Sequence, residues 1–84
     1  MSYSIEIRAK VKKYLLAMDG NLRSRISRRI DNLTDNPRPA DCKKLKTREA
    51  YRIRIGDYRV IYEIHDDVLV VLVIRLALRR DVYS

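Results

Sequence analysis

The sequence predicts an α+β fold in which an N-terminal strand is followed by an antiparallel two-helix hairpin and a three-stranded antiparallel meander (β-α-α-β-β-β). Alternating apolar and polar residues indicate strands near both ends of the chain, and apolar residues spaced by three or four indicate two helices between them. The 84 residues, 46% of them hydrophobic, suffice for a single domain spanning residues 1–84. The helical hairpin is expected to cover one face of a mostly antiparallel sheet.

A short strand and a helix are predicted before residue 21. Tyr3, Ile5 and Ile7 alternate with polar residues, which is typical of a strand with one buried face. The helix that follows carries an apolar stripe made of Val11, Tyr14, Leu15 and Met18. Gly20 is expected to end this helix in the left-handed conformation, and Asp19 or Asn21 is expected to cap the next helix.

The remaining elements follow after residue 21. The second helix carries an apolar stripe of Leu22, Ile26, Ile30 and Leu33 and stops before Pro37, in the stiff connector 36–39. A short strand is predicted at 43–47, and the strands of the meander at 51–55, 58–65 and 68–76. The strand 68–76 is the most apolar, so it is expected to be the most buried.

The chain is strongly basic. Its 19 Lys and Arg against 11 Asp and Glu give a formal net charge of +8, which favours a polyanion or an acidic protein as partner. Cations interrupt every apolar run near the N-terminus, which argues against a signal peptide or membrane anchor, so a cytoplasmic location is expected. The single Cys42 and single His65 favour neither a disulfide nor a metal site, and no cofactor is expected.

Arginines are concentrated on the predicted hairpin 51–62. Period-two alternation places Arg52 and Arg54 on one face, and a two-residue Gly56-Asp57 turn would place Arg59 opposite Arg54. Facing like charges destabilise a sheet by roughly 0.2–1 kcal/mol per pair, so an anion is expected between them, most simply a nucleic-acid phosphate. Further cationic and phenolic candidates for this anion site are Lys43, Lys44 and Lys46 on the preceding strand and Arg79, Arg80 and Tyr83 in the tail.

Such residues suit RNA cleavage without a metal ion. In that reaction the 2′-hydroxyl attacks phosphorus, cations stabilise the added negative charge, and an acid protonates the leaving oxygen. Arginine binds two phosphate oxygens and keeps its charge, but it does not act as a base at ordinary pH. Tyr83 is a candidate for proton transfer or for stacking on a base. The arginines of the second helix are either a solvated face or a track for a phosphate backbone: Arg23, Arg25, Arg28 and Arg29.

The segments 43–45, 51–62, 74–76 and 79–83 resemble the RelE branch of the RelE/ParE toxin superfamily, and the resemblance extends over essentially the whole chain. It implies a toxin from a bacterial or archaeal type II toxin–antitoxin operon that enters the ribosomal A site and cuts mRNA there. The catalytic set that it implies is Arg52, Arg54, Arg59, Arg79 and Tyr83. The expected RNA-binding residues beside them are Lys43, Lys44, Lys46 and Arg80.

Two positions depart from the family pattern. Arg52 and Arg54 stand where the best-known RelE toxins have lysine, and Leu78 stands where many relatives have histidine. Both departures leave phosphate binding intact and leave the general base open. The alternatives are a ParE-like toxin that binds DNA gyrase without nuclease activity, and an inactive relative that only binds RNA. The expected partners are the ribosome, mRNA and an acidic RelB-like antitoxin, which would form a hetero-oligomer with the toxin.

Overall fold

The computed structural model describes residues 2–78, which form a five-stranded sheet and two helices. The α+β fold class is therefore confirmed. The elements are β1 (Ser4–Ile7), α1 (Ala9–Leu16), α2 (Gly20–Asn32), β2 (Lys43–Lys44), β3 (Tyr51–Ile55), β4 (Tyr58–His65) and β5 (Val70–Leu78). No helix among these residues is long and apolar enough to cross a membrane.

The sheet has the strand order β1-β5-β4-β3-β2. The meander β3-β4-β5 is antiparallel, as expected, and β2 also runs antiparallel to β3. β1 instead pairs in parallel with β5, from Ser4 beside Val70 to Ile7 beside Val73. The sheet is therefore mixed, because the chain leaves β1, passes through both helices and three strands, and returns alongside β1 with its last strand.

Two strand boundaries differ from the expectation. β2 contains two residues instead of the five predicted at 43–47, since the chain leaves the sheet after Lys44. β5 begins at Val70 instead of Val68 and extends to Leu78. Leu69 has a φ of 55°, so the turn that starts at Asp66 continues through this left-handed residue before the strand begins.

The junction between the helices is displaced from its predicted position. α1 ends at Leu16 with Ala17 in a right-handed conformation, so Gly20 does not terminate it. Gly20 is instead the first residue of α2, and the predicted cap Asp19 accepts a hydrogen bond from the backbone N–H of Asn21 at 3.2 Å. The capping carboxylate satisfies one of the unpaired donors of the first turn and so fixes where α2 starts.

The core lies between the helices and one face of the sheet. Val11 and Leu15 of α1 are buried, as are Ile26, Ile30 and the following Leu33 of α2. They pack against the inward-facing residues of the sheet, which include Ile53, Val60, Tyr62, Val71 and Val73. Tyr14 is an exception to the predicted stripe, since it is 42% exposed.

A polar network ties the connector 36–39 to the sheet. Arg38 donates to both carboxylate oxygens of Asp66, at 3.4 and 2.9 Å, and lies over the ring of Tyr51. The Tyr3 hydroxyl donates to the same carboxylate. The Arg38 guanidinium and then the Tyr3 hydroxyl lower the pKa of Asp66, while the carboxylate raises the pKa of Tyr3. The network links β1, the connector, β3 and the β4–β5 turn.

Candidate functional site

A cleft of about 790 Å³ lies on the open face of the sheet, opposite the helices. Of the twelve residues within 2–78 that line it, eight are Lys or Arg and none is Asp or Glu. The cationic lining residues are Arg8, Lys43, Lys44, Lys46, Arg48, Arg52, Arg59 and Arg75. So many cations in a concave surface concentrate positive potential, which suits an anionic ligand with several charges.

The hairpin register agrees with the sequence prediction. Arg54 pairs directly with Arg59 across β3 and β4, and Gly56 adopts a φ of 58° in the turn between them. The three predicted arginines differ in depth, however. Arg59 is only 2% exposed and Arg52 9%, whereas Arg54 is exposed and lies outside the cleft lining. The cleft thus contains two deep guanidiniums, with Arg54 at the open end of the hairpin.

The deep arginines have apolar neighbours on one side and cationic neighbours on the other. Arg59 stands between Ala77 of β5 and Arg54 of β3, and Arg52 stands between Ile61 of β4 and Lys43 of β2. A charge that is removed from solvent interacts more strongly with a bound anion than the same charge in water.

The segment after β2 forms one wall of the cleft. It returns to the sheet at Ala50, whose carbonyl accepts a hydrogen bond from the N–H of Leu45 at 2.8 Å. Arg48 crosses to Glu63 of β4 and pairs with it at 3.0 Å, which anchors the wall against the open face. Glu63 also contacts His65 at 3.0 Å. The predicted Lys43 and Lys46 therefore lie on an anchored wall.

Lys44 is partly compensated within this wall. Its ammonium lies 3.0 Å from the Glu49 carboxylate, which raises the pKa of Lys44. Lys43 stands directly beside Arg52 on the neighbouring strand, and no ion pair of Lys43 or Lys46 is found within residues 2–78. Lys43 and Lys46 are thus the more available of the three lysines for an anion.

Three cationic residues of the cleft were not predicted: Arg8, Arg48 and Arg75. Arg75 reaches the cleft through a β-bulge: Ile61 pairs with Arg75 while the next residue, Tyr62, pairs with Val73, so Ile74 is an extra residue in β5. Ile74 and Arg75, although adjacent in sequence, both line the cleft. Arg8 enters it from the junction between β1 and α1. An arginine inside an otherwise apolar strand was the only sequence signal for Arg75.

Arg79, Arg80 and Tyr83 lie outside the described residues. Among residues 2–78, no three His, Cys, Asp or Glu side chains converge in a way that could hold a metal ion. Cys42 is half-buried with a free thiol. The part of the site that the structure describes is therefore composed of Arg and Lys around an apolar wall.

Comparison with known proteins gives consistent matches. A family profile described as the ParE toxin of the type II toxin–antitoxin system parDE matches residues 5–83. The RelE1 protein of Methanocaldococcus jannaschii is 31% identical over all of this chain and 98% of its own length. The archaeal RelE–RelB complex from Pyrococcus horikoshii OT3 is 32% identical with a TM-score of 0.84, covering 94% of this chain and 97% of that one.

The same fold occurs in a more distant solved structure. A free mutant form of the E. coli toxin RelE superposes with a TM-score of 0.81 at 24% identity, covering 100% of this chain and 93% of that one. At this level of identity the likeness concerns the fold alone.

Proposed function

The chain belongs to the RelE/ParE superfamily of toxins from type II toxin–antitoxin systems, and we propose that it is a ribosome-dependent mRNA endonuclease that cleaves in the A site. The observation that carries the proposal is the cleft, whose described lining has eight cations and no carboxylate and in which Arg52 and Arg59 are buried. A surface that only bound an acidic protein would not require guanidiniums at this depth.

The proposed reaction is attack of the RNA 2′-hydroxyl on the adjacent phosphorus, without a metal ion. Arg52, Arg54 and Arg59 grip the scissile phosphate and stabilise the charge that accumulates on its oxygens. Because a charged guanidinium cannot accept a proton, removal of the 2′-hydroxyl proton is assigned to another group. Arg79 stabilises or protonates the leaving 5′-oxygen, and Tyr83 orients the nucleophile or stacks on a base, both by analogy with the family.

The proposed partners follow from charge and from the relatives. The similar structure from Pyrococcus horikoshii OT3 is a RelE–RelB complex, and a chain of net charge +8 suits an acidic antitoxin of that kind. The same charge suits docking on ribosomal RNA in the cytoplasm, with an affinity that falls as salt rises. The toxin–antitoxin hetero-oligomer would be its usual form.

The test is expression in a translating bacterial extract, with mRNA 5′ ends mapped in the presence and absence of ribosomes. We expect the mRNA to be cut within codons, and only when ribosomes are present.

Arg59→Ala should lower the cleavage rate by roughly 10²–10³, the typical effect of removing one charge-stabilising donor. Arg54→Ala should lower the rate less, because Arg54 is exposed. Circular dichroism checks the fold, and Arg59→Lys retains the charge should Arg59→Ala fail to fold. Arg28→Ala on the exposed side of α2 removes the same charge and should cut normally.

A second candidate function comes from the matching family profile, which is described as ParE. A ParE-like toxin would bind DNA gyrase and perform no chemistry of its own. Intact mRNA together with DNA damage in the same extract would favour that function. Full toxicity of Arg54→Ala and of a correctly folded Arg59→Ala would favour it as well, since a gyrase inhibitor has no need of a phosphate-binding hairpin.

A further inference from the structure

We propose that a second groove, between α1 and β5, binds a nucleotide of single-stranded RNA next to the one held in the cleft. This subsite rests on the proposed RNA-binding function of the cleft. The groove has a volume of about 460 Å³, within the range of small-ligand pockets. Its lining residues are Arg8, Lys10, Val11, Tyr14, Ile74, Arg75, Leu76 and Ala77.

The topology of the sheet creates this groove. β1 pairs with β5 only as far as Val73, and the N–H of Arg8 makes the last bond to the Val73 carbonyl. Beyond that point α1 takes the place of β1 alongside β5. A helix cannot follow a strand edge as closely as another strand does, so a groove remains between α1 and the second half of β5.

The groove is continuous with the cleft. Arg8 and Arg75 line both cavities, so two guanidiniums stand where one opens into the other. The bulge at Ile74 brings Arg75 to this border. A strand of RNA that leaves the cleft over these residues would have its next phosphate between two cations.

Beyond Arg8 and Arg75, the residues that line the groove are mostly apolar or aromatic. Val11, Ile74, Leu76 and Ala77 form apolar walls, and Tyr14 contributes an aromatic ring to the lining. Tyr14 is 42% exposed although it lies three residues after the buried Val11 on the same helix. An exposed aromatic ring beside an apolar wall, with arginines at the entrance, is the combination that binds an unpaired base and its phosphate.

A peptide segment of a partner protein is the competing occupant, because the groove also borders the part of β5 beyond its pairing with β1. The observations favour RNA. The residues within 2–78 that line the groove include three cations and no carboxylate, and its entrance is shared with a cavity whose described lining is mostly cationic. A peptide would need to be acidic, and its side chains would then meet the apolar walls.

The test measures binding separately from cleavage. Fluorescence anisotropy compares a trinucleotide with an octanucleotide of 2′-O-methyl RNA, in which the 2′-hydroxyl cannot attack. Tyr14→Ala should weaken octanucleotide binding roughly tenfold, a typical loss for one stacked base, and should leave trinucleotide binding unchanged. Tyr14→Phe retains the ring and should bind as the parent does. Arg75→Ser should reduce the slope of log affinity against log salt by about 0.7, the value for one phosphate on a single strand.

Matched controls use residues outside the groove. Leu16→Ala shortens an exposed apolar side chain on the same helix, and Lys12→Ser removes one positive charge from an exposed position of α1 that does not line the groove. Both variants should retain the parent protein's difference in affinity between the trinucleotide and the octanucleotide.

Three outcomes would overturn the subsite. The first is that correctly folded Tyr14→Ala binds the octanucleotide as tightly as the parent protein does. The second is that Tyr14→Ala loses the same affinity for the trinucleotide as for the octanucleotide. The third is normal RNA binding by Tyr14→Ala with lost binding of the antitoxin, which would assign the groove to a protein. If the trinucleotide binds through Arg59 but the octanucleotide binds no more tightly, only the subsite is refuted. If neither oligonucleotide binds to the parent protein, the proposed function is refuted.

Discussion

Arg54 and Arg59 are directly paired across β3 and β4, yet Arg54 is exposed while Arg59 retains only 2% of its accessible surface. Two positive charges thus face each other at the end of a hairpin, one in solvent and one in the sheet. Such a pair opposes folding and favours an anion between its members. It predicts that affinity for RNA and stability of the fold respond in opposite directions when Arg54 is changed.

Arg54→Thr should raise the free energy of unfolding by about 0.2–1 kcal/mol at low ionic strength, because it removes a like-charge cross-strand pair. The same variant should bind RNA more weakly. Urea denaturation at low and high salt measures the first effect, which should shrink at 1 M salt, where the Debye length is about 3 Å. Lys46→Thr, outside the strands, serves as the control. An unchanged or lower stability of Arg54→Thr at low salt would show that the pair carries no repulsion.

Gly56→Ala should lower the free energy of unfolding by roughly 1–2 kcal/mol, since a Cβ is disfavoured in the left-handed conformation. The loss would come from backbone strain, because a Cβ at this position would meet only Arg25 Nη2, at 3.6 Å. Gly56→Asn should cost less, as asparagine tolerates this conformation. Thermal or urea unfolding provides the measurement.

The matched control is Gly20→Ala, at the start of α2. This position does not have a positive φ, and a Cβ there would lie 3.9 Å from the Arg23 side chain. The substitution should be neutral or stabilising, because alanine has the higher helix propensity. Equal losses at the two glycines would contradict the assignment of strain to the turn.

Tyr62→Phe should lower the free energy of unfolding by roughly 1–3 kcal/mol, because it leaves the buried Pro37 carbonyl without its donor. The Tyr62 hydroxyl donates to that carbonyl at 2.7 Å, and burial raises the pKa of Tyr62. Tyr51→Phe is the comparison, since the Tyr51 hydroxyl only accepts a 3.4 Å bond from Arg38 in an exposed setting. It should have the smaller effect in the same denaturation experiment, and equal effects would argue against the buried bond.

Asp66 should make the fold sensitive to acid. Arg38 and Tyr3 lower its pKa in the folded protein below the ordinary value of 3.8. This stabilisation is therefore fully present above pH 3.8 and is lost as the pH falls through the lowered folded pKa. Urea midpoints measured between pH 7 and pH 2.5 should fall less steeply for Asp66→Asn than for the parent chain.

Asp67→Asn is the control for this acid effect. Asp67 is exposed in the same turn, and its side chain has no hydrogen bond or ion pair within residues 2–78. It should follow the parent profile. Identical profiles for Asp66→Asn and the parent would exclude the Arg38–Asp66 pair as a source of acid sensitivity.

The hairpin was predictable because its information is local. Alternation sets the face of each residue and the Gly56-Asp57 turn sets the register, so the pairing of Arg54 with Arg59 followed from twelve consecutive residues. How deeply each guanidinium lies was not predictable. Arg59 is buried whereas Arg75, on the neighbouring inner strand β5, is exposed, so the depth depends on packing around each side chain, which alternation does not encode.

Arg75 and Tyr14 were missed for two different physical reasons. β5 is almost wholly apolar, so no alternation of apolar and polar residues shows which face of the sheet Arg75 lies on. The β-bulge shifts the alternation of faces by one residue, and it arises only from the pairing of β5 with β4. Tyr14 lies three residues after Val11, a helical spacing that fits a position in the core and a position at the edge of the groove equally well. The stripe of α2 was a reliable predictor, since Ile26, Ile30 and Leu33 are all buried.

The parallel pairing of β1 with β5 also determines when the protein can fold. Ser4 and Ile7 find their partners only at Val70 and Val73, so the sheet can close only after the ribosome has released every residue from β1 to β5. Contacts between distant parts of a sequence form slowly. Arg59 pairs with Ala77 of β5, and Arg75 lies on β5, so the cationic cleft is assembled only after β5 has been synthesised. A nascent chain that has not yet reached β5 therefore lacks the complete cleft.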